Sequence, residues 1–350
     1  MMATTRLADV VIDYNQFSDY STQMAVQKSA LIQSGAMVQS AQMATFLQGE
    51  GLTLNVRSFK NLADIDDPDN VGNDDPAVNS VPQKIGTSEE IAVRQNRNQS
   101  WSSMSLLVDL GMADPLSAIA SQIGGYWQAR SQRSILSALM GIFADNDAAP
   151  VGNEHVAGDL TLDIKGTAVG PTTRFSADAA ILAGGLMGDS QTDLSVILAH
   201  SAIYNSMVRS NLITFTKLSD QLPNAPTYLG YTVIVDDMMP NPAGVGALQT
   251  PAGVYHTYLI GAGALSYAMA PASQNPSYVE YLPSAGNGQG EERIHSKMQW
   301  MAHLGGHAYI QSGIPAGGPT NAQSATAANW KRVFPSRKQI KIARLITREA

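Results

Sequence analysis

Two histidines have the spacing of a metal site. His303 and His307 lie four residues apart in HLGGH, and on a helix that spacing lets two imidazoles share one metal ion. The glutamate that acts as general base in the zinc-protease motif is missing, and the two glycines between the histidines are typical of an interrupted strand. We therefore expect core or surface histidines here, with metal binding as the less favoured alternative.

Carboxylates form a second candidate group, in the stretch DIDDPDNVGNDD. Asp64, Asp66, Asp67, Asp74 and Asp75 lie in it, and its first residues resemble a calcium-binding loop. A proline inside the stretch and the lack of a closing glutamate break the EF-hand pattern. A solvated acidic loop is therefore favoured over a calcium site.

Other catalytic signatures are incomplete. Asp236 and Asp237 follow a strand, where a turn or a helix cap is favoured over a metal site. The stretch GAGAL (261–265) lacks the GxGxxG spacing, no GxSxG is present, and the chain has no cysteine. We predict no catalytic residue, no bound metal and no cofactor.

Composition narrows the class of protein. Hydrophobic residues make up 44% of the 350 residues and charged residues 15%, which is typical of a globular chain. The net charge of −7 argues against a protein that coats nucleic acid. No apolar run reaches the ~18 residues that a membrane span needs, so we expect no membrane contact and synthesis as a soluble protein.

The elements that must position these residues are unusual in their order. The stretch LTLNVRSF alternates like a half-buried strand, and a second strand follows only after about 28 acidic, proline-containing residues, far more than a usual hairpin loop. A long helix is predicted over 114–145, because Pro115 suits its first turn and apolar residues recur at helical spacing. Alternating helices and strands follow, and the tail after Pro315 becomes basic.

This order of parts resembles the major capsid proteins of tailed bacteriophages. The resemblance is carried by GMADPLSAIASQIGGYWQARSQRSILSALMGIFAD and by HSAIYNSMVRSNLITF with the following YLGYTVIVDD. It implies an α+β chain with the HK97-like capsid fold. The implied segments are an N-terminal arm (1–50), an E-loop (51–113), a peripheral domain (114–171) with a spine helix (114–145), an axial domain (172–285), peripheral-domain strands (286–314) and a C-terminal extension (315–350).

The resemblance also implies a non-catalytic function. The chain would form pentamers and hexamers of an icosahedral head around double-stranded DNA, without sequence-specific DNA binding. Its partners would be other copies of itself, portal and scaffolding proteins, and a decoration protein. It would assemble in the host cytoplasm and reside in the virion. The alternatives are an encapsulin-type nanocompartment of the same fold, a phage-tail or decoration protein, and a metal-dependent enzyme.

Contacts between copies are expected from three sets of residues. Arms and long loops cannot bury their own apolar faces in a monomer, and large wrapping interfaces suit permanent assemblies. We expect the acidic loop to face the basic tail of another copy, because like charges crowded together repel. The sets are acidic (Asp64, Asp66, Asp67, Asp74, Asp75), apolar (Leu52, Leu54, Trp101, Leu106) and basic (Arg130, Arg133, Arg337, Lys338, Lys341, Arg344).

Overall fold

A computed structural model describes residues 37–60, 70–82, 84–109, 115–148, 155–216, 225–272 and 276–349. Its strands, in chain order, are β1 (Val38–Gln39), β2 (Thr53–Phe59), β3 (Thr87–Met104), β4 (Thr161–Asp163), β5 (Leu194–Ala199), β6 (Ile213–Thr216), β7 (Ala225–Tyr228), β8 (Tyr231–Val235), β9 (Val254–Gly261), β10 (Leu265–Pro271), β11 (Ser277–Leu282), β12 (Glu291–Leu304), β13 (His307–Tyr309), β14 (Trp330–Arg332) and β15 (Ile342–Arg348). Its α-helices are α1 (Ala41–Gln48), α2 (Ser105–Asp109), α3 (Pro115–Asp147), α4 (Ala177–Gly185), α5 (Ser201–Arg209) and α6 (Asn321–Ser324).

The long helix α3 joins the two halves of the molecule. It has 33 residues, so it is about 50 Å long, and it begins at the proline that the sequence suggested. Its C-terminal half is buried, with Leu136, Leu139 and Phe143 at most 1% exposed. Gly141 permits the closest approach, because a Cβ there would stand 2.0 Å from the carbonyl oxygen of Ser324. None of the helices in the described ranges could cross a membrane.

Sheet I has eight strands. Their order is β1-β10-β12-β3-β13-β14, with β11 also paired to β12 and β2 also paired to β3. The antiparallel pair of β12 and β3 runs from Glu291 opposite Met104 to Met301 opposite Arg94. Strands β10 and β11 pair with β12 in this sheet. Sheet I therefore crosses the predicted axial boundary at 285, because alternation identifies a strand without identifying its partner.

Sheet II has seven strands in the order β4-β15-β9-β5-β8-β7-β6. The C-terminal strand β15 lies inside it, parallel to β4 and antiparallel to β9. Six of its seven residues are buried. Within the predicted C-terminal extension (315–350), the alternating apolar residues of this strand thus belong to the core of sheet II. Strand β4 also belongs to sheet II, so that sheet begins before the predicted boundary at 172.

Helices cover both faces of sheet II. Tyr258 of β9 stacks on Phe143 of α3, with ring centroids 5.2 Å apart, so α3 lies on one face. Tyr231 of β8 points to the other face, where its hydroxyl contacts Gly184 of α4. Helix α5 lies on that same face, because Ser210 at its end donates to Tyr228, the cross-strand partner of Tyr231. The main hydrophobic core therefore forms on both faces of sheet II, between the sheet and the helices that cover it.

Candidate assembly surfaces

The β2–β3 hairpin is anchored by a buried contact between Glu90 of β3 and His303 of β12. His303 Nε2 lies 2.8 Å from Glu90 Oε2, and the backbone N–H of Gly306 donates to the same oxygen at 2.8 Å. Burial alone would raise the pKa of Glu90, but these two hydrogen bonds and the His303 charge bring it below its usual value. Through its Nε2, His303 of β12 therefore holds Glu90 of the hairpin in place.

The apolar residues at the root of the hairpin are partly covered by their own chain. Leu52 packs on the main core, and Leu54 packs on a smaller cluster with Met43 and Leu47 of α1. Trp101 meets Tyr126 of α3 edge to face, with centroids 5.2 Å apart. All three keep part of their surface exposed, so the expectation that other copies cover Leu52, Leu54 and Trp101 stays a prediction. Leu106 is 36% exposed, so its interface role stays a prediction.

Beyond this root, the hairpin exposes apolar side chains. Five large hydrophobic residues there are each at least half exposed, and Val71 reaches 84%. They are Phe59, Val71, Val78, Val81 and Ile85. A surface of this kind typically marks a protein-binding site. Sequence reasoning followed the aspartates and missed these residues, although valines between Pro76 and Lys84 were visible in the sequence.

The acidic residues of the loop are ordinary turn formers where the structure describes them. Asp75 Oδ1 accepts from the Ala77 N–H at 2.9 Å, and the Asp75 N–H donates to Asn73 Oδ1 at 3.0 Å. Asp74 and Asp75 are exposed. Asp64, Asp66 and Asp67 lie outside the described residues.

The basic tail uses its cations within its own chain. Lys338 pairs with Asp189 at 2.7 Å, Lys341 pairs with Asp193 at 3.3 Å, and the buried Arg344 binds Asp147 and lies over the ring of Phe143. Arg344 is therefore buried away from other copies, whereas Lys338 and Lys341 are partly exposed. Their expected contact with the acidic loop of another copy stays a prediction. Arg337 is half-buried and remains a predicted contact.

The two predicted cations of α3 differ in position. Arg130 is exposed and stacks over Tyr126 at 5.1 Å. Arg133 lines a cavity of about 660 Å³ next to Asp236 and Asp237. Asp236 stabilises a turn, because its Oδ1 accepts a hydrogen bond from Met238 N. Asp237 caps α5, because its Oδ1 accepts a hydrogen bond from Ser201 N at the start of that helix.

No group that could hold a metal ion occurs in the described part of the chain. His307 is fully buried, and burial lowers its pKa to about 3, so it stays neutral and bonds the carbonyl of Gly305. Buried histidines were the favoured expectation for HLGGH.

Comparison with known proteins decides the family. No protein-family model matches the chain. The chain is 33% identical to the major capsid protein of Bacillus phage SPP1 over 340 residues. The aligned residues cover 96% of each protein. The chain belongs to the family of bacteriophage major capsid proteins. It is a structural protein of the virion capsid, and capsid proteins assemble with copies of themselves.

Solved capsids have the same fold at low identity. The capsid of Ralstonia phage GP4 matches with a TM-score of 0.57 and 10% identity, covering 99% of both chains. Cyanophage Pam1 matches with a TM-score of 0.53 and 12% identity over 98% of this chain and 99% of that one. The SrpI encapsulin of Synechococcus elongatus also matches, with a TM-score of 0.51 and 9% identity over 94% and 91%. The HK97-like α+β fold is confirmed, and the identity to a phage protein favours the phage head over the nanocompartment.

Proposed function

We propose that this capsid protein builds an icosahedral phage head from pentamers and hexamers, in which the β2–β3 hairpin of each copy lies over a neighbouring copy. The five exposed hydrophobic residues of the hairpin (Phe59, Val71, Val78, Val81 and Ile85) carry the proposal. We call them the hairpin apolar set.

Burial arithmetic supports this arrangement. Covering a valine or isoleucine side chain fully stabilises a protein by about 1.5–3 kcal/mol relative to leaving it in water. A single copy obtains less than half of this from the hairpin apolar set, whose members are 52–84% exposed. The tip between Asn70 and Val81 is nevertheless shaped, because Asn70 bonds the backbone of Val81 in both directions, at 3.0 and 3.2 Å. A preshaped apolar surface loses less entropy on docking than a random loop does.

The rest of the chain receives corrected roles. We infer that 1–50 is the N-terminal arm, 51–113 the E-loop, sheet I with α3 the peripheral domain, and sheet II, including β15, the axial domain. The protein is non-enzymatic and assembles in the host cytoplasm with portal and scaffolding proteins. A decoration protein is a further partner. The net charge of −7 on the capsid protein itself suits a wall that encloses double-stranded DNA without sequence-specific binding.

A four-site variant tests the hairpin. Val71, Val78, Val81 and Ile85 are replaced by asparagine, and assembly is measured by negative-stain microscopy and analytical ultracentrifugation. The expected result is a folded subunit with an unchanged denaturation midpoint and no closed particles. A matched control replaces the three valines by leucine, which keeps the surface apolar, and closed particles should form as in the wild type. Closed particles from the asparagine variant at wild-type yield would refute the proposal.

A further inference from the structure

The helical layer of sheet II carries an exposed apolar strip with one cation. Helix α4 exposes Ile181 (55%) and Leu182 (61%). At the end of α5, Val208 is 50% exposed and Leu212 is 42% exposed, and Arg209 is exposed beside them. We call these five residues the helical strip. Among the described residues, Arg209 forms no salt bridge.

The strip follows from helical spacing. In α5 the buried residues are Ile203 and Met207, which face the sheet, so residues one position further along turn outward. In soluble proteins that outward face is normally polar. Here Ile181 and Leu182 of α4 and Val208 of α5 are exposed on that face, and exposed apolar groups of this kind fit a protein partner better than water.

The cavity of about 660 Å³ lies at one end of sheet II, next to Ser201 at the start of α5. It opens at the carboxyl ends of the parallel strands β5 and β8 and is bounded by Arg133 of α3. Its rim includes Val245, which is 66% exposed. We call it the sheet-end cavity.

The charges in the sheet-end cavity do not balance. Two carboxylates, Asp236 and Asp237, face one guanidinium, that of Arg133. His200 also lines the cavity, but burial lowers its pKa, so it adds no charge at neutral pH. Asp236 is only 5% exposed and accepts hydrogen bonds from the Gln132 side chain and from Met238 N, without a cation. Burial raises its pKa to about 6, as expected for a carboxylate that lacks a positive neighbour.

The two surfaces are complementary and differ in kind. One offers apolar groups and a single positive charge, and the other offers an apolar rim and a single excess negative charge. They lie at different places on sheet II: the cavity is at the strand ends where α5 begins at Ser201, and the strip lies on α4 and at the other end of α5. Contacts between two different surfaces of identical copies are heterologous, and such contacts generate closed rings when the rotation closes.

We propose that, within a capsomer ring, the helical strip of one copy docks on the sheet-end cavity of the next, with Arg209 entering the cavity and Val208 meeting Val245. This inference rests on the proposed function, since it needs ring-shaped capsomers. It adds which two surfaces form the ring, and it gives Arg209 a partner in Asp236 and Asp237.

Cysteine crosslinking tests the inference, because the chain contains no cysteine. Val208→Cys and Val245→Cys chains are prepared separately, mixed, assembled under mild oxidation and run on non-reducing gels. The expected result is a disulfide-linked dimer in the mixture, several-fold more abundant than in either variant alone. Dimers from Val208→Cys alone would indicate a two-fold contact and would overturn the inference. Normal particles without crosslinks would overturn it as well, while the proposed head-building function would stand.

A charge reversal provides a second readout that does not need a disulfide. Arg209→Glu should lower the yield of capsomers and particles at least tenfold, with an unchanged denaturation midpoint of the subunit. Arg174→Glu, at another exposed arginine on the same side of the chain, is the control and should assemble normally. Equal yields from both variants would overturn the inference. Failure of the wild type to form any particle would instead remove the proposed function itself.

Discussion

The hairpin of sheet I and the end strand of sheet II use apolar residues in opposite ways. In β15, six of seven residues are buried by the same chain. In β2, none of the seven is fully buried, and the loop beyond it exposes valines by 57–84%. Sheet II therefore buries its apolar residues within one copy, whereas the hairpin would bury its own only under the proposed neighbouring copy. In a capsid protein this separates folding of the subunit from closure of the shell.

The largest effect should come from removing β15. A chain that ends at Gln339 loses the strand between β4 and β9, which exposes the edge of β9 and opens the core. We expect insoluble or unfolded protein, measured by circular dichroism and gel filtration. A soluble, cooperatively folding truncated chain would show that the tail is an extension after all.

Single substitutions in β15 and in the hairpin should show the same contrast between the two regions, with smaller losses of stability than the truncation. Leu345→Ala, at a fully buried position of β15, should reduce the unfolding free energy by about 2–5 kcal/mol in urea titrations. Val78→Ala in the hairpin should change it by less than about 0.5 kcal/mol, because the side chain is 57% exposed in the subunit. Comparable losses for both variants would mean that the hairpin is not independent of the core.

The pH dependence of sheet II should reveal Asp236. Burial raises its pKa from 3.8 to about 6, so the folded subunit holds this proton more tightly than the unfolded chain does. Its contribution to the unfolding free energy therefore falls as pH rises from about 4 to about 6. Asp236→Asn should match the wild type at pH 4 and be more stable at pH 8, by on the order of 1–3 kcal/mol. A difference that does not change with pH would contradict this assignment.

The smallest effect should come from the tail surface. Lys338→Ala breaks an ion pair with Asp189 in which both side chains are largely exposed, at 49% and 77%. Exposed pairs contribute little, because water and salt screen them. We expect the denaturation midpoint and the particle yield to stay within error of the wild type. A clear loss of particles with a stable subunit would place Lys338 in an interface.

Local patterns predicted elements well and partners poorly. The alternation in LTLNVRSF and the proline start of the long helix each predicted an element that the structure contains. Strand pairing depends on distant residues, so the same alternation at Ile340, Ile342 and Leu345 did not tell an interior strand from an outward arm. Charge was equally ambiguous: a basic tail and an acidic loop look complementary, yet Arg344 is satisfied by Asp147.

The assembly surfaces were predicted only in part. The length of the hairpin loop pointed to the region where the structure exposes the hairpin apolar set, because long loops often carry a function. The exposed valines were missed because exposure is a property of the folded chain, and a valine in a sequence usually indicates a buried core position. The sheet-end cavity was not foreseen either, since Arg133 and Asp236 lie far apart in the sequence.

The central claim is that another copy covers the hairpin. The most direct test is the rate at which a maleimide labels Val78→Cys, measured in the free subunit and in assembled particles of a chain that has no other cysteine. We predict fast labelling of the subunit and at least tenfold slower labelling of the particle. Equal rates in the two states would show that the hairpin stays in solvent and would contradict the account.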